Sequence, residues 1–214
     1  MDIFSQEFVD FVINLWTIYL GIDSWVGGGV GLLVVYLLIR ENMLAWPLGV
    51  LYVLISVAVL YEGRLYSNLV LHVFAFLPLN VYGWYSWLAG KEGENKMPIT
   101  RSSWQLIVLL LGICVVGVIL LPYFYGFFFP DYESKAALVL VDNTVLMLSL
   151  MAMWLTARKK IENWIFWFFV NILSVGMYFI QEIYPYAILY AAYLVTAVWG
   201  YFAWSNNLVT RGSR

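Results

Sequence analysis

The sequence predicts an all-α integral membrane protein with seven transmembrane helices. Composition is the first reason. Of 214 residues, 64% are hydrophobic and 11% charged, against roughly 25% charged in soluble domains. A surface so poor in charge is solvated by hydrocarbon rather than by water. Length is the second. Apolar runs near the ~20 residues that a helix needs to cross a bilayer follow one another between short polar breaks. The third reason is how sharply the basic residues divide between the two sides that those runs define.

The spans read from the apolar runs are residues 24–39, 44–60, 65–88, 104–125, 135–156, 161–180 and 183–204. Before them, Asp2, Glu7 and Asp10 interleave with Phe4, Phe8, Phe11, Val12 and Leu15. A secretory signal begins with positive charge, and this stretch has none, so residues 1–23 read as an interfacial amphipathic segment. With the loops assigned alternately, Arg40, Lys91, Lys96, Arg101, Arg158, Lys159, Lys160, Arg211 and Arg214 fall on one side. Arg64 and Lys135 complete the 11 basic residues on the other. The rich side marks the cytoplasm. The N-terminus is then outside, and the tail, 205–214, is cytoplasmic.

An internal repeat organises the spans. Asn80-Val81-Tyr82-Gly83-Trp84-Tyr85-Ser86-Trp87 and Ala197-Val198-Trp199-Gly200-Tyr201-Phe202-Ala203-Trp204 share the pattern Val-aromatic-Gly-aromatic-aromatic-small-Trp at an offset of 117. Arg40 and Trp46 correspond to Arg158 and Trp164 at an offset of 118. Three spans leave the chain on the opposite side of the membrane, so a second copy in the same orientation needs one extra crossing. Residues 104–125 supply it. The predicted arrangement is a first three-helix bundle (24–88), a linker helix (104–125) and a second bundle (135–204), as parallel repeats. Transporters of that symmetry bind solute near the midplane, between the repeats.

Polar side chains in hydrocarbon are costly, and they face a bundle interior or a cavity. The candidates are His72, Asn80 and Tyr82 in the third span, Asp142 and Asn143 in the fifth, and Asn171 and Ser174 in the sixth. Trp164, Trp167 and Asn171 stand at i, i+3 and i+7, on one helix face. Two indoles and an amide suit a flat aromatic cation, which stacks on the rings while the amide fixes its polar edge. Trp164 reads equally as an interfacial anchor, and Asn171 as interhelical glue worth about 0.6 kcal/mol. Trp46 has the same two readings, and Pro47 beside it sits in a first helical turn, where its missing N–H costs little. His72, the one histidine, and Asp142 are the groups at depth that proton coupling could use. A neutral, hydrogen-bonded His72 is the simpler reading. Asp142 suits a cationic ligand or a gate, and reads also as a helix-packing group or a carboxylate that snorkels outward.

Other functions find no support. The net charge of −2 gives no footprint for nucleic acid. Cys114 is the one cysteine, so no intramolecular disulfide forms, and it reads as a small apolar residue. No metalloprotease, nucleophile-elbow or phosphate-loop motif occurs, and no cofactor or metal is expected. The last span has no lysine for a retinal. Gly27-Gly28-Gly29 predicts close helix packing. Homo-oligomerisation is compatible with the sequence, which does not fix it.

The run Arg158-Lys159-Lys160-Ile161-Glu162-Asn163-Trp164-Ile165-Phe166-Trp167, continuing through Asn171-Ile172-Leu173-Ser174-Val175, resembles the PnuC family of bacterial vitamin transporters. So do Leu65-Tyr66 through Trp87, and Trp46-Pro47-Leu48-Gly49. The resemblance runs from about Trp25 to Trp204. It implies a fold like that of a full-length sugar transporter of the SWEET type. It also implies uptake of nicotinamide riboside across the bacterial inner membrane by facilitated diffusion, with a cytoplasmic kinase trapping the solute. Carried over residue by residue, it implies substrate contacts at Trp164, Trp167 and Asn171, and at Asn143 and Asn80. His72 stands where the family more often has glutamine, and the polar set around Trp46 is sparse. Both departures keep thiamine, another cationic heteroaromatic carried by relatives of the family, as the alternative substrate.

Overall fold

The computed structural model describes residues 24–62, 72–90, 97–128 and 136–208. Seven α-helices lie among them: α1 (Ser24–Ile39), α2 (Ala45–Glu62), α3 (Leu77–Ala89), α4 (Trp104–Phe128), α5 (Ala136–Ala157), α6 (Asn163–Ile180) and α7 (Tyr184–Asn206). Each coincides with one predicted span to within a few residues, apart from the start of the third. The segment 1–23, residues 63–71 and the tail beyond 208 lie outside the described residues. Stretches of α4, α5, α6 and α7 are long and apolar enough to cross a membrane. The chain is a multi-pass membrane protein.

The chain forms two compact units, residues 1–84 and 85–214, and α3 runs from one into the other. In the first unit α1 packs on α2, and α2 on a π-helical turn, His72–Phe76, that leads directly into α3. Pro78 accounts for the π turn: it has no N–H to give the carbonyl four residues back, and its ring crowds that carbonyl. The Asn80 amide adds a side-chain bond to this turn, donating from Nδ2 to the Phe76 carbonyl at 2.9 Å. Gly49 on α2 leaves room for that amide, since a Cβ there would overlap Asn80 Oδ1. Three residues earlier, the buried Trp46 indole lies on the α3 backbone at Gly83, where a Cβ would overlap the ring. Pro47 is in the first turn of α2, as predicted.

In the second unit α5, α6 and α7 pack each on the next, and α4 packs on α5. Lipid tails are as apolar as leucine, so such contacts rest on close packing rather than on escape from water. Leu110, Cys114, Met151, Ala152, Leu155 and Phe166 form the buried cluster, with Cys114 acting as the small apolar residue expected of it. A Cβ at Gly117 would overlap Met147, so α4 and α5 approach closely there. Much of α4, including Leu109, Ile113, Val115, Val116 and Ile119, is exposed.

The two units repeat one turn bond for bond. After α1, Arg40, Glu41 and Asn42 donate their N–H groups to the carbonyls of Tyr36, Leu38 and Leu37. After α5, Arg158, Lys159 and Lys160 donate to Trp154, Thr156 and Leu155. The next helices begin alike, with Ala45 and Trp46 bonded to Asn42 and Met43, and Asn163 and Trp164 to Lys160 and Ile161. All five bonds correspond at an offset of 118. The two helix ends are Schellman motifs, and their left-handed residue is not glycine: Glu41 has φ 53° and Lys159 φ 48°. α6 ends the same way, at Glu182 with φ 61°.

The glycine run in α1 needs one correction. Close packing was expected there, but a Cβ at Gly29 would meet nothing within 4 Å. Small residues permit approach without compelling it, and here α1 turns Gly29 to open space.

Candidate functional site

α6 carries the face singled out from the sequence, and the structure divides that face between two neighbours. The Trp164 indole is turned to α7. It is 3% exposed, a Cβ at Gly200 would lie 2.6 Å from its ring atoms, and it meets Trp204 edge to face with centroids 5.4 Å apart. Its Nε1 is buried with no hydrogen-bond partner among the described residues. Trp167 is half-buried and turned to α5: its Nε1 donates to Thr156 Oγ1 at 3.3 Å, and its ring packs on the α4–α5–α6 cluster. The two indoles therefore do not form one flat platform.

The amides are better placed for a ligand. Asn171, seven residues after Trp164, is 5% exposed, and none of the hydrogen bonds among the described residues involves its side chain. Asn143 on α5 is 1% exposed, with its Nδ2 unpartnered, and the buried Ser174 Oγ on α6 is likewise unpartnered. An amide or hydroxyl buried without a partner costs roughly 1–3 kcal/mol. Asn143 Nδ2 and Ser174 Oγ, on two adjacent helices, therefore leave a hydrogen bond open to water or a ligand. Asp142, beside Asn143, is exposed. Farther along α6, the Tyr178 ring lies between Tyr186 and Tyr190 of α7, with centroids 5.3 and 5.2 Å away.

The remaining candidates belong to the first unit. Asn80 is buried and committed to the Phe76 carbonyl. His72 opens the π turn and meets Phe76 edge to face at 5.2 Å. Trp46 is buried against Gly83, and Tyr82 is half-buried one residue before that glycine.

One residue is more deeply engaged than its sequence context showed. Lys159 was counted as a surface charge, yet it is 1% exposed. Its Nζ donates to the Met97 carbonyl at 2.9 Å and stands 4.4 Å from the Trp87 ring centroid, a desolvated cation–π contact. Trp87 in turn donates from Nε1 to the Thr156 carbonyl at 3.1 Å. The run Arg-Lys-Lys does not reveal which of its cations is buried. The repeat does hold a signal: Lys159 corresponds to Glu41, the residue that closes the helix in the first unit.

Comparison with known proteins agrees with this architecture. The chain is 29% identical over 220 residues to a nicotinamide riboside transporter PnuC of Escherichia coli (strain K12), covering 89% of each chain. It is 24% identical to one from Neisseria mucosa, covering 89% of this chain and 75% of the relative. It is also 24% identical to the riboflavin/roseoflavin transporter RibM of Streptomyces davaonensis, covering 85% and 84%. A solved structure, the crystal structure of the vitamin B3 transporter PnuC, has the same fold, with TM-score 0.68 and 20% identity over 94% of this chain and 88% of that one. The sequence profile of nicotinamide mononucleotide transporters matches residues 21–206, and with that match, apolar helices along most of its length and a shared fold, the chain belongs to this family of membrane transporters.

Proposed function

We propose that the chain transports nicotinamide riboside by facilitated diffusion, and that it acts as a carrier rather than as an enzyme. The similarity to nicotinamide riboside transporters over nearly the whole chain carries the reading. The charge pattern narrows it. None of the seven described helices contains a lysine or arginine, so a phosphate dianion would meet no basic side chain on them. A pyridinium nucleoside needs none. It needs ring contacts and hydrogen bonds to its ribose and carboxamide, which Trp167, Asn171 and Asn143 can give. Asn80 is a buried amide of the first unit, and Asp142 the carboxylate best suited to a cation.

The five corresponding hydrogen bonds and the two tryptophan-on-glycine contacts support two copies of a three-helix unit joined by α4. Alternating access then follows as a rocking of one copy against the other, in the bacterial inner membrane, with the C-terminus in the cytoplasm. With no membrane potential, transport without coupling accumulates solute only if a cytoplasmic kinase traps it. The riboflavin-transporting relative keeps a second substrate class in view, and thiamine is a third flat heteroaromatic of the right charge.

Counterflow in proteoliposomes decides among them. Vesicles loaded with unlabelled nicotinamide riboside are expected to take up the labelled compound, while those loaded with the mononucleotide, thiamine or riboflavin are not. Exchange with thiamine or riboflavin alone would reassign the substrate; exchange with none would remove the transport reading.

A further inference from the structure

Four hydroxyls on α5 and α7 satisfy themselves on their own helix. Thr144 donates to the Leu140 carbonyl at 2.7 Å, Ser149 to Val145 at 2.7 Å, Thr156 to Ala152 at 2.8 Å and Thr196 to Tyr193 at 2.8 Å. In a regular helix such a carbonyl lies within reach of a serine hydroxyl. Ser174 on α6 departs from the pattern. It is 0% exposed, and the Val170 carbonyl stands four residues back, yet its Oγ has no partner among the described residues.

The amides divide in the same way. Asn80, Asn163 and Gln181 donate to carbonyls three or four residues back, those of Phe76, Lys160 and Met177. Asn143 Nδ2 finds no such partner, and Asn171 makes no side-chain bond among the described residues. Ser174 follows Asn171 by three residues, so the two share a face of α6, roughly 4.5 Å apart along its axis. Trp167, four residues before Asn171, continues that face.

We infer that Ser174 is a substrate contact that sets specificity, its hydroxyl hydrogen-bonded to a ribose hydroxyl of the transported nucleoside. The inference rests on the riboside reading given above. A serine hydroxyl both donates and accepts, as each ribose hydroxyl does, so the pair can form in either sense. The aromatic end of the solute falls to the Trp167 ring. Ser174, two helical turns or roughly 10.5 Å farther along the axis, is left to the sugar. A solute without that hydroxyl leaves the buried serine unpaired, which is how a polar site rejects an analogue that lacks one group.

Titration calorimetry on the full chain tests this, with nicotinamide riboside and its 2′-, 3′- and 5′-deoxy analogues. The wild type is expected to bind one of the three about tenfold less tightly than the riboside. Ser174→Ala should bind the riboside about tenfold less tightly than the wild type does, with no further loss on that analogue. Ser174→Cys, close in volume but a weaker donor, should fall between. Alanine removes a hydroxyl that has no partner, so the solute-free Ser174→Ala protein should unfold at the wild-type temperature or above. Wild-type affinity for the riboside in Ser174→Ala would overturn the inference and leave the hydroxyl to a buried water. The same loss on all four compounds would overturn it as a general disturbance of the site. Unfolding of the solute-free variant well below the wild type would also overturn it, by showing the hydroxyl engaged within the protein. A wild type that binds no riboside would overturn the transport reading itself, and this inference with it.

Discussion

The Trp164 indole lies on the backbone of α7 at Gly200, where a Cβ would be 2.6 Å from its ring. The Trp46 indole lies in the same manner on α3 at Gly83. Each pair welds the start of one helix to the middle of the next. Gly200→Ala and Gly83→Ala should each destabilise the protein by about 1–3 kcal/mol, the usual cost of overpacking, as read by thermal unfolding in detergent. Gly176→Ala, on α6 with nothing within 4 Å of its Cβ, should be neutral or mildly stabilising. An equal loss at all three positions would show that the indoles are irrelevant to it.

Lys159 offers a second test, because its charge is buried against a ring and a carbonyl. Lys159→Ala should cost about 2 kcal/mol or more, from the lost cation–π contact and the orphaned Met97 carbonyl. Trp87→Phe keeps a ring beneath the ammonium and gives up the hydrogen bond to Thr156, so it should cost about 1 kcal/mol. Thermal unfolding measures both, and a Lys159→Ala protein as stable as the wild type contradicts the contact.

At the left-handed end of α6, Glu182 is exposed with φ 61°. Glycine has no Cβ to crowd there, so Glu182→Gly should raise stability by about 1 kcal/mol. A decrease would mean that the glutamate side chain contributes more than its backbone costs.

Asn171→Ala should weaken nicotinamide riboside binding roughly tenfold, the ordinary worth of one buried hydrogen bond to a ligand, without loss of folding. Titration calorimetry with the purified protein reads it. Unchanged affinity would move the substrate contacts off this face of α6.

A permanent cation carried without coupling responds to voltage. At −100 mV inside, one charge is worth about 2.3 kcal/mol, so proteoliposomes polarised with potassium and valinomycin should accumulate the riboside roughly fiftyfold. A pH gradient at zero potential should have no effect. Accumulation driven by pH instead would bring His72 and Asp142 into the mechanism.

Span boundaries were legible because each is an abrupt change in hydropathy, and tryptophan and glycine stand at matched positions in both units. The orientation of the indoles was not. Trp164 and Trp167 share a helix face by spacing, yet 60° on a helix is enough to send one ring to α7 and the other to α5. Spacing fixes where Cβ atoms point, whereas glycine at 200 and the hydroxyl of Thr156 decide where the rings go. Lys159 was hidden for a related reason: a charge run names its cations without ranking them, and burial was set by the left-handed turn that aims one of them inward. The burial of Asn80, Asn143 and Asn171 was legible, because an asparagine in an apolar helix stands out on cost alone.

The π turn at His72–Phe76 has a bearing on how the two tryptophan–glycine pairs are spaced. Tryptophan and glycine are 37 residues apart in the first unit, Trp46 to Gly83, but 36 apart in the second, Trp164 to Gly200. A π turn is how a helix houses a single surplus residue, and α7 has none where α3 is preceded by one. The first unit thus has one more residue between its tryptophan and glycine than the second, and a π bulge beside Pro78 lies on that stretch ahead of Gly83. Excising one residue from that turn would give the first unit the tryptophan-to-glycine spacing that the second already has.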